Sequence, residues 1–242
     1  MDQFGEDGNL PIHLACKEGF TEIVEAFIDH WMNINARTST GETPLHYAVY
    51  SKQDTVTVLL LVKGADINAV DIFDRRPDHV AAIVGNIDYL KTVKNVVDIT
   101  SGFAGNEETE LSLHIAARNG HVEVLILLLD RGCNVDARTS LGNTALLFAA
   151  RGSIDCVQLL LSRGADANIV CGDGFPSTAL EMSIEKRNNQ ITRFLLGHGA
   201  KVNLVGSCGS SPLHLAIIDN NLEIIMLLLE DGAAFSILSE CV

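Results

Sequence analysis

A six-residue phrase recurs along this chain and constrains its fold more than any other feature. Residues 43–48 read Thr-Pro-Leu-His-Tyr-Ala, and close copies stand at residues 10–15 and 211–216. A unit this small cannot bury a hydrophobic face alone, so repeated units must stack on their neighbours. The sequence therefore predicts a repeat protein, whose function is to be sought on a surface.

The spacing of the phrase sets the length of the unit. His13, His46 and His79 follow one another at intervals of about 33 residues, and the register continues through His114 to His214. Within a unit we expect a short helix, a turn, a Leu-rich second helix and a Gly-Ala-Asp ending. Seven units fit a single domain over residues 1–242, approximately at 7–38, 39–71, 72–104, 107–139, 140–171, 172–206 and 207–238.

The phrase and the unit length resemble the ankyrin repeat, whose signature is Thr-Pro-Leu-His-x-Ala. The resemblance covers nearly the whole chain. It implies an all-α solenoid of stacked helix-turn-helix units with projecting β-hairpin-like loops. It also implies that the first helices and hairpin tips form a concave surface for binding proteins, and that the motif histidines tie adjacent turns together.

Charge and composition narrow the class of partner. The formal net charge of −14 argues against nucleic-acid binding, which needs clustered Lys and Arg, and favours a basic or neutral protein partner. An acidic surface that only maintains solubility is the alternative. No apolar stretch is long enough for a membrane span, and residues 1–9 are polar and acidic, unlike a signal peptide. We expect a cytoplasmic protein, with the nucleus as a second compartment.

The pattern of polar residues does not predict catalysis. Five of the eight histidines share one repeat position, so we interpret them as structural. The six cysteines lack the paired spacing of a metal site or a disulfide framework. We therefore predict no enzyme activity, no cofactor and no metal.

The repeat is least regular in its third and sixth units. Asp74 replaces the turn glycine of the third unit, and the segment 100–110 lengthens the connection that follows. The sixth unit gains residues near Phe175 and carries Glu181 and Ser183 at motif positions. We expect these irregular places to carry function.

Apolar hairpin tips and first-helix side chains form the predicted partner-binding set. Consensus tips are polar, so a row of apolar tips suggests a recognition edge; the alternative is that each tip packs on its neighbour. Aromatic anchors carry most interface energy, which favours the phenylalanines. The predicted set is Tyr47, Tyr50, Ile72, Phe73, Phe103, Arg118, Leu141, Phe175, Glu181 and Glu185.

The resemblance also implies a modification. Ankyrin proteins are often hydroxylated at the hairpin asparagine, which corresponds here to Asn35, Asn68, Asn168 and Asn203. The alternative interpretation is that these side chains only bridge backbone groups between hairpins.

Together these features predict a non-catalytic scaffold or adaptor that binds a protein partner. The alternative is a targeting or tethering ankyrin domain excised from a larger multidomain channel, kinase, ligase receptor or effector, and a spacer that binds nothing is a third interpretation. The last second helix, residues 222–229, is strongly apolar. We therefore expect a monomer in which residues 235–238 cover this helix, or end-to-end association through it.

Overall fold

The computed structural model describes residues 10–93, 112–172, 177–204 and 210–234. Fourteen helices lie in these ranges, and they follow one another as seven pairs. The first helices of the pairs are α1 (Pro11–Glu18), α3 (Pro44–Tyr50), α5 (Pro77–Val84), α7 (Ser112–Asn119), α9 (Ala145–Ala149), α11 (Ala179–Glu185) and α13 (Pro212–Ile218). The second helices are α2 (Thr21–Asp29), α4 (Asp54–Val62), α6 (Ile87–Thr92), α8 (Val122–Asp130), α10 (Ile154–Ser162), α12 (Asn189–Gly197) and α14 (Leu222–Glu230).

The chain divides into two compact units, Met1–Ser112 and Leu113–Val242. In the first unit, α1 packs on α3 and α3 on α5, while α2 packs on α4 and α4 on α6. In the second unit, α9, α11 and α13 form one row and α8, α10, α12 and α14 form the other. The prediction of one continuous domain over residues 1–242 stays a prediction.

Local chemistry explains where the helices begin. Proline stands at the first helical position of α1, α3, α5 and α13, where its missing N–H removes no intrahelical bond. Where proline is absent, Thr144 and Thr178 cap α9 and α11, and each hydroxyl accepts the backbone N–H three residues ahead.

The core of each unit consists of small and branched residues at repeated positions. Ala48, Ala81, Ala116 and Ala216 are fully buried, which lets neighbouring first helices approach closely. The largest fully buried side chains are Tyr89, Ile12, Leu45, Leu60, Leu90, Leu113, Leu125, Leu128, Leu146, Leu160 and Leu180.

The connections between pairs turn back on themselves. The backbone N–H groups of Thr38, Asp71 and Thr139 each donate to the carbonyl four residues ahead, at 3.0, 3.0 and 2.9 Å. A left-handed residue follows in each tip, and in the third repeat it is Asp74, with φ of 55°, in place of glycine. Apart from two isolated β-bridges, the described ranges contain no strand, so the predicted all-α class with hairpin-like loops is confirmed.

The core of the third repeat differs from the others. Asp78 occupies the position of Leu45 in the phrase and is completely buried. The Arg76 guanidinium donates two hydrogen bonds to its carboxylate, Nε to Oδ1 and Nη2 to Oδ2, each 3.0 Å long. A buried charge is tolerated when it is paired in this way.

The remaining expectations about the irregular segments lie mostly outside the described residues. Residues 100–110 and Phe175 belong to that group. None of the helices in the described ranges is both long and apolar enough to cross a bilayer.

Candidate partner-binding surfaces

The motif histidines form hydrogen bonds with backbone groups of the turns that they join. In His13 and His46 the ring Nδ1 accepts the N–H of the residue before the helix at 3.1 Å, so the proton is on Nε2. That Nε2–H donates to the carbonyl of Ala36 or Arg75 in the following hairpin, each at 3.0 Å. Burial lowers the pKa of both histidines, which keeps the rings neutral.

His114 makes the same bond to the following hairpin. Its ring Nε2 lies 2.9 Å from the Ala137 carbonyl oxygen. The expectation that motif histidines tie adjacent turns is therefore confirmed for the three that show this contact. These rings hold the repeats together rather than presenting a base to a ligand.

A pocket of about 200 Å³ opens on the first-helix side of the first unit. Its apolar walls come from Tyr47, Tyr50, Val80 and Ile83. Tyr47 also packs on His13, with ring centroids 5.3 Å apart, whereas Tyr50 is 61% exposed. The polar residues that line the pocket are Lys17, Glu42, His46 and Arg75. A cavity of this size holds a ring or a branched side chain.

The hairpin of the third repeat, residues 71–75, places Arg75 at this pocket. Buried Asp71 accepts the backbone N–H groups of Phe73 and Arg75 at 2.8 and 2.9 Å, which fixes the tip. Its second oxygen accepts from Arg75 Nε at 2.6 Å. The guanidinium carbon of Arg75 lies 4.8 Å from the centroid of the Phe73 ring, and Nη2 lies 3.9 Å from a Glu42 oxygen.

The structure thus brings several predicted residues of the first unit into one area. Arg75 lines the pocket beside Tyr47 and Tyr50 and at the same time contacts Phe73. Ile72 and Phe73 are 60% and 47% exposed at the tip. The expected exposure of these apolar tips is therefore real, although their binding role is untested.

The predicted residues of the second unit form a different arrangement. Arg118 is exposed at the end of α7, with its guanidinium carbon 4.6 Å from the centroid of the Phe148 ring. Glu185 is exposed at the end of α11, and Leu141 is at the tip of its hairpin. No described contact joins Leu141 to Arg118 or Glu185.

The structure corrects the expectation that Glu181 lines the groove. This side chain is only 3% exposed, because its carboxylate accepts the Thr178 backbone N–H at 2.8 Å and also contacts the Thr178 hydroxyl. Glu181 replaces the motif histidine as the acceptor at the start of α11, in a capping box. The predicted residues Phe103 and Phe175 lie outside the described residues.

Three of the four hairpin asparagines make the bridging contacts that the alternative interpretation required. The Oδ1 atoms of Asn35, Asn168 and Asn203 accept the backbone N–H groups of Asp66, Lys201 and Ala234 at 2.8, 2.7 and 2.8 Å. Asn68 is exposed, and its own backbone N–H donates to Asp66. Hydroxylation of these four residues stays a prediction.

The apolar character of α14 persists in the structure. Leu222 and Met226 are 70% and 51% exposed, and Ile218 at the end of α13 is 76% exposed. Residues 235–242 lie outside the described ranges. End-to-end association through this helix stays a prediction.

Sequence reasoning missed several residues of these surfaces. Lys17, Ile83 and Arg151 stand four residues after the motif-histidine position, as Tyr50, Arg118 and Glu185 do, and we call this the groove position. Aligning the units at that position would have found them. Arg75 could not be found in this way, because its place depends on how Asp71 folds the tip.

Known proteins share the repeat pattern of this chain. A family model described as ankyrin repeats matches the chain in three copies, over residues 1–71, 79–171 and 168–238. The B-cell lymphoma 3 protein homolog of Mus musculus is 28% identical over 221 residues, which are 87% of this chain and 48% of that protein. Rabankyrin-5 of Homo sapiens is 30% identical over 172 residues, which are 69% of this chain and 14% of that protein.

The fold is also shared with a solved structure. The crystal structure of the human ASB11 ankyrin repeat domain superposes with a TM-score of 0.82, covering 93% of this chain and 99% of that domain at 24% identity. At that identity the likeness shows the fold alone. The chain spans about half the length, or less, of the two curated relatives.

Proposed function

Because this chain belongs to the ankyrin-repeat family, we propose that it is a scaffold or adaptor that binds a protein partner through its first-helix groove and hairpin tips. Ankyrin repeats generally mediate protein–protein interactions. The observation that carries the proposal is the pocket of the first unit, where Tyr47 and Tyr50 meet Arg75. Tyrosine and arginine are, with tryptophan, the residue types enriched among the dominant contacts of protein interfaces.

The geometry of that pocket suits a projecting side chain of the partner. Its walls are aromatic and aliphatic, while Lys17, Glu42 and Arg75 place charges at the same site. An apolar side chain of the partner would bury its carbon atoms in the pocket. A polar residue next to it in the partner would form hydrogen bonds with the charged groups there. The exposed tip residues Ile72 and Phe73 would extend the contact.

We further propose that the protein is not an enzyme and that it acts in the cytoplasm or the nucleus. His13, His46 and His114 use their rings for structural bonds. Cys16, Cys156 and Cys171 form no disulfide among the described residues, as is usual for proteins of reducing compartments.

The test is affinity capture with matched variants. The pair Tyr50→Ala and Phe73→Ala removes the exposed ring of the pocket and the exposed ring of the hairpin tip. Val62→Ala is the control, because Val62 is 79% exposed on α4 and does not line the pocket. We expect at least one lysate protein to bind wild type and the control equally, and to bind the double variant about tenfold less. Thermal unfolding would verify that all three chains are folded.

A partner profile unchanged by the double variant would contradict this site. A profile lost equally in the Val62 control would show that the apolar surface in general, rather than the pocket, retains the captured proteins. Direct titration of the identified partner with the three chains would then measure the contribution of the pocket.

A second candidate is a targeting or tethering module within a larger multidomain protein. It is favoured by the fact that the chain corresponds to 48% and 14% of the lengths of its two curated relatives. An antibody raised against the chain would distinguish the candidates in extracts of the source organism. A band near 26.1 kDa supports the free adaptor, and a much larger band supports the module.

A further inference from the structure

Two arginines of the second unit share one aromatic ring. The guanidinium carbons of Arg118 and Arg151 lie 4.6 and 5.4 Å from the centroid of the Phe148 ring. Phe148 itself is 2% exposed, so it is a fixed platform rather than a mobile surface group. Both arginines occupy the groove position of consecutive repeats, and both are exposed to solvent.

This arrangement concentrates positive charge in a chain of formal charge −14. The two guanidinium groups are no farther apart than the sum of their distances to the ring, so they repel each other. Attraction to the ring face offsets part of that repulsion. An anion that contacts both groups would offset it further.

Three other arginines of this unit show a contrast. Arg163, Arg187 and Arg193 form ion pairs across adjacent repeats, with nitrogen–oxygen distances of 2.8, 3.3 and 3.1 Å. Arg151 forms no ion pair with a residue of the described ranges. Its planar edge therefore carries several N–H donors that no ion pair within the described ranges occupies.

The surroundings leave room for a ligand at these donors. A shallow depression of about 430 Å³ lies between the two arginines, and Gly120 and Gly152 contribute no side chain to it. Ser153 and Asp155 complete one side. The fork of a guanidinium matches the two oxygens of a carboxylate.

Glu185 specifies the next contact along the groove. It occupies the groove position of the repeat after Arg151 and is exposed. Packed helices are about 8–10 Å apart, which an extended chain crosses in about three residues. A partner with an acidic residue at the arginine pair would therefore place a residue about three positions away beside Glu185, where a Lys or Arg fits.

We propose that Arg118 and Arg151 together bind a carboxylate of an acidic residue in the protein partner, within a segment that carries a basic residue about three positions away for Glu185. This inference rests on the proposed scaffold function and identifies the chemistry of its partner. A monoanionic carboxylate is favoured over a phosphate because negative charge is already nearby: Asp155 lines the depression, and Glu185 occupies the next groove position. The proposed partner segment carries one acidic and one basic residue and is therefore close to neutral. This agrees with the expected basic or neutral partner.

The test uses a fluorescein-labelled Gly-Ser peptide that carries two Glu-x-x-Lys units, titrated with the full chain. The probes for comparison replace each Glu by Gln or by phosphoserine, and a short oligothymidylate serves as a general polyanion. We expect the Glu peptide to bind more tightly than all three, and its affinity to fall about tenfold or more with Arg118→Gln/Arg151→Gln.

The control removes the same charge elsewhere in the unit. Arg163→Gln/Arg193→Gln alters two exposed arginines, one just after α10 and one in α12, and should change the affinity by less than about twofold. Arg151→Lys keeps the charge but loses the planar fork, so we expect an intermediate affinity. Thermal unfolding of each variant separates lost binding from lost structure.

Several results would overturn the inference. They are no binding of the Glu peptide up to about 1 mM, an equal loss in the two double variants, and tighter binding of the phosphoserine peptide or the oligothymidylate. If partner capture still depends on Tyr50 and Phe73 in that event, the scaffold function stands and only the carboxylate chemistry fails. If capture fails but the peptide result holds, the pocket of the first unit is the part that is wrong.

Discussion

The two compact units build their repeats alike but present different chemistry at the groove position. In the first unit this position carries Lys17, Tyr50 and Ile83, and Tyr50 lines a largely apolar pocket. In the second unit it carries Arg118 and Arg151, which lie over one buried phenylalanine. The groove position therefore varies in character while the helices beneath it keep the same pattern, so recognition can change without changing the fold.

The units also differ inside the repeat. All three repeats of the first unit have a histidine at the motif position, whereas the fifth and sixth repeats have Leu147 and Glu181 there. Thr144 and Glu181 still accept backbone N–H groups at the starts of α9 and α11. The histidine bond to the following hairpin has no counterpart in leucine, so the first unit depends more on this residue.

The largest expected effect breaks the buried pair that distinguishes the third repeat. Arg76→Ala leaves the fully buried carboxylate of Asp78 without its partner, and should lower the free energy of unfolding by about 3–5 kcal/mol. Urea unfolding followed by circular dichroism measures this change. The rescue variant Arg76→Thr/Asp78→Leu restores the phrase of the second repeat and should equal or exceed the wild-type stability.

A loss below about 1 kcal/mol for Arg76→Ala would show that Asp78 is neutralised in another way. A rescue variant as unstable as Arg76→Ala would show that this repeat needs the charged pair itself. Either outcome would change the comparison between the third repeat and its neighbours.

The next effect tests the histidine difference between the units. His46→Leu removes the acceptor for the Thr43 N–H and the donor to the Arg75 carbonyl, and should cost about 2 kcal/mol or more. His30→Leu is the matched control, because His30 is exposed after α2 and its replacement should change stability by less than about 0.5 kcal/mol. Equal effects of the two substitutions would contradict a special role for the motif position.

The third prediction concerns pH. Burial lowers the pKa of His13 and His46 from the ordinary value of 6.5, so the unfolded chain binds their protons first as the pH falls. Their contribution to stability is complete above 6.5 and is lost as the pH falls toward the lower pKa of the folded state. His46→Leu should therefore lose less stability than wild type between about pH 7.5 and about pH 5.5.

Urea midpoints measured across that interval check the sign. A variant that loses as much stability as wild type would mean that other groups titrate there.

The smallest effect compares the first repeat with the others. Trp31 is 95% exposed and has a φ of 68°, at the position where Gly64, Gly132 and Gly164 adopt the same left-handed backbone. Trp31→Gly should raise the free energy of unfolding by about 0.5–1 kcal/mol, because glycine removes the Cβ that this left-handed backbone disfavours. The added entropy of glycine in the unfolded chain opposes this gain and keeps it small. Trp31→Ala keeps the Cβ and should show no gain, and a gain for both variants would attribute the effect to the indole instead.

The sequence predicted the parts that depend on local geometry and on nearest neighbours. The period, the prolines at helix starts, the structural histidines and the family all follow from residues 10–15, 43–48 and 211–216 and from their spacing. Tyr50, Phe73 and Arg118 could be found as exposed candidates, because their positions within the repeat, on a first helix or at a hairpin tip, indicate that they face outward. The burial of Glu181 could also have been anticipated, since Thr178 and Glu181 have the Thr-x-x-Glu spacing of a capping box.

By itself, the sequence determined that this chain is a stack of short helix pairs, because only stacking buries the apolar face of each repeat. The tertiary structure alone decided which side chains meet: Arg75 against Phe73, Arg76 with Asp78, and two arginines over Phe148. The physical reason is that a long charged side chain can reach many neighbours. The choice is made by hairpin geometry and by the distance between repeats, neither of which can be read from residue type and spacing.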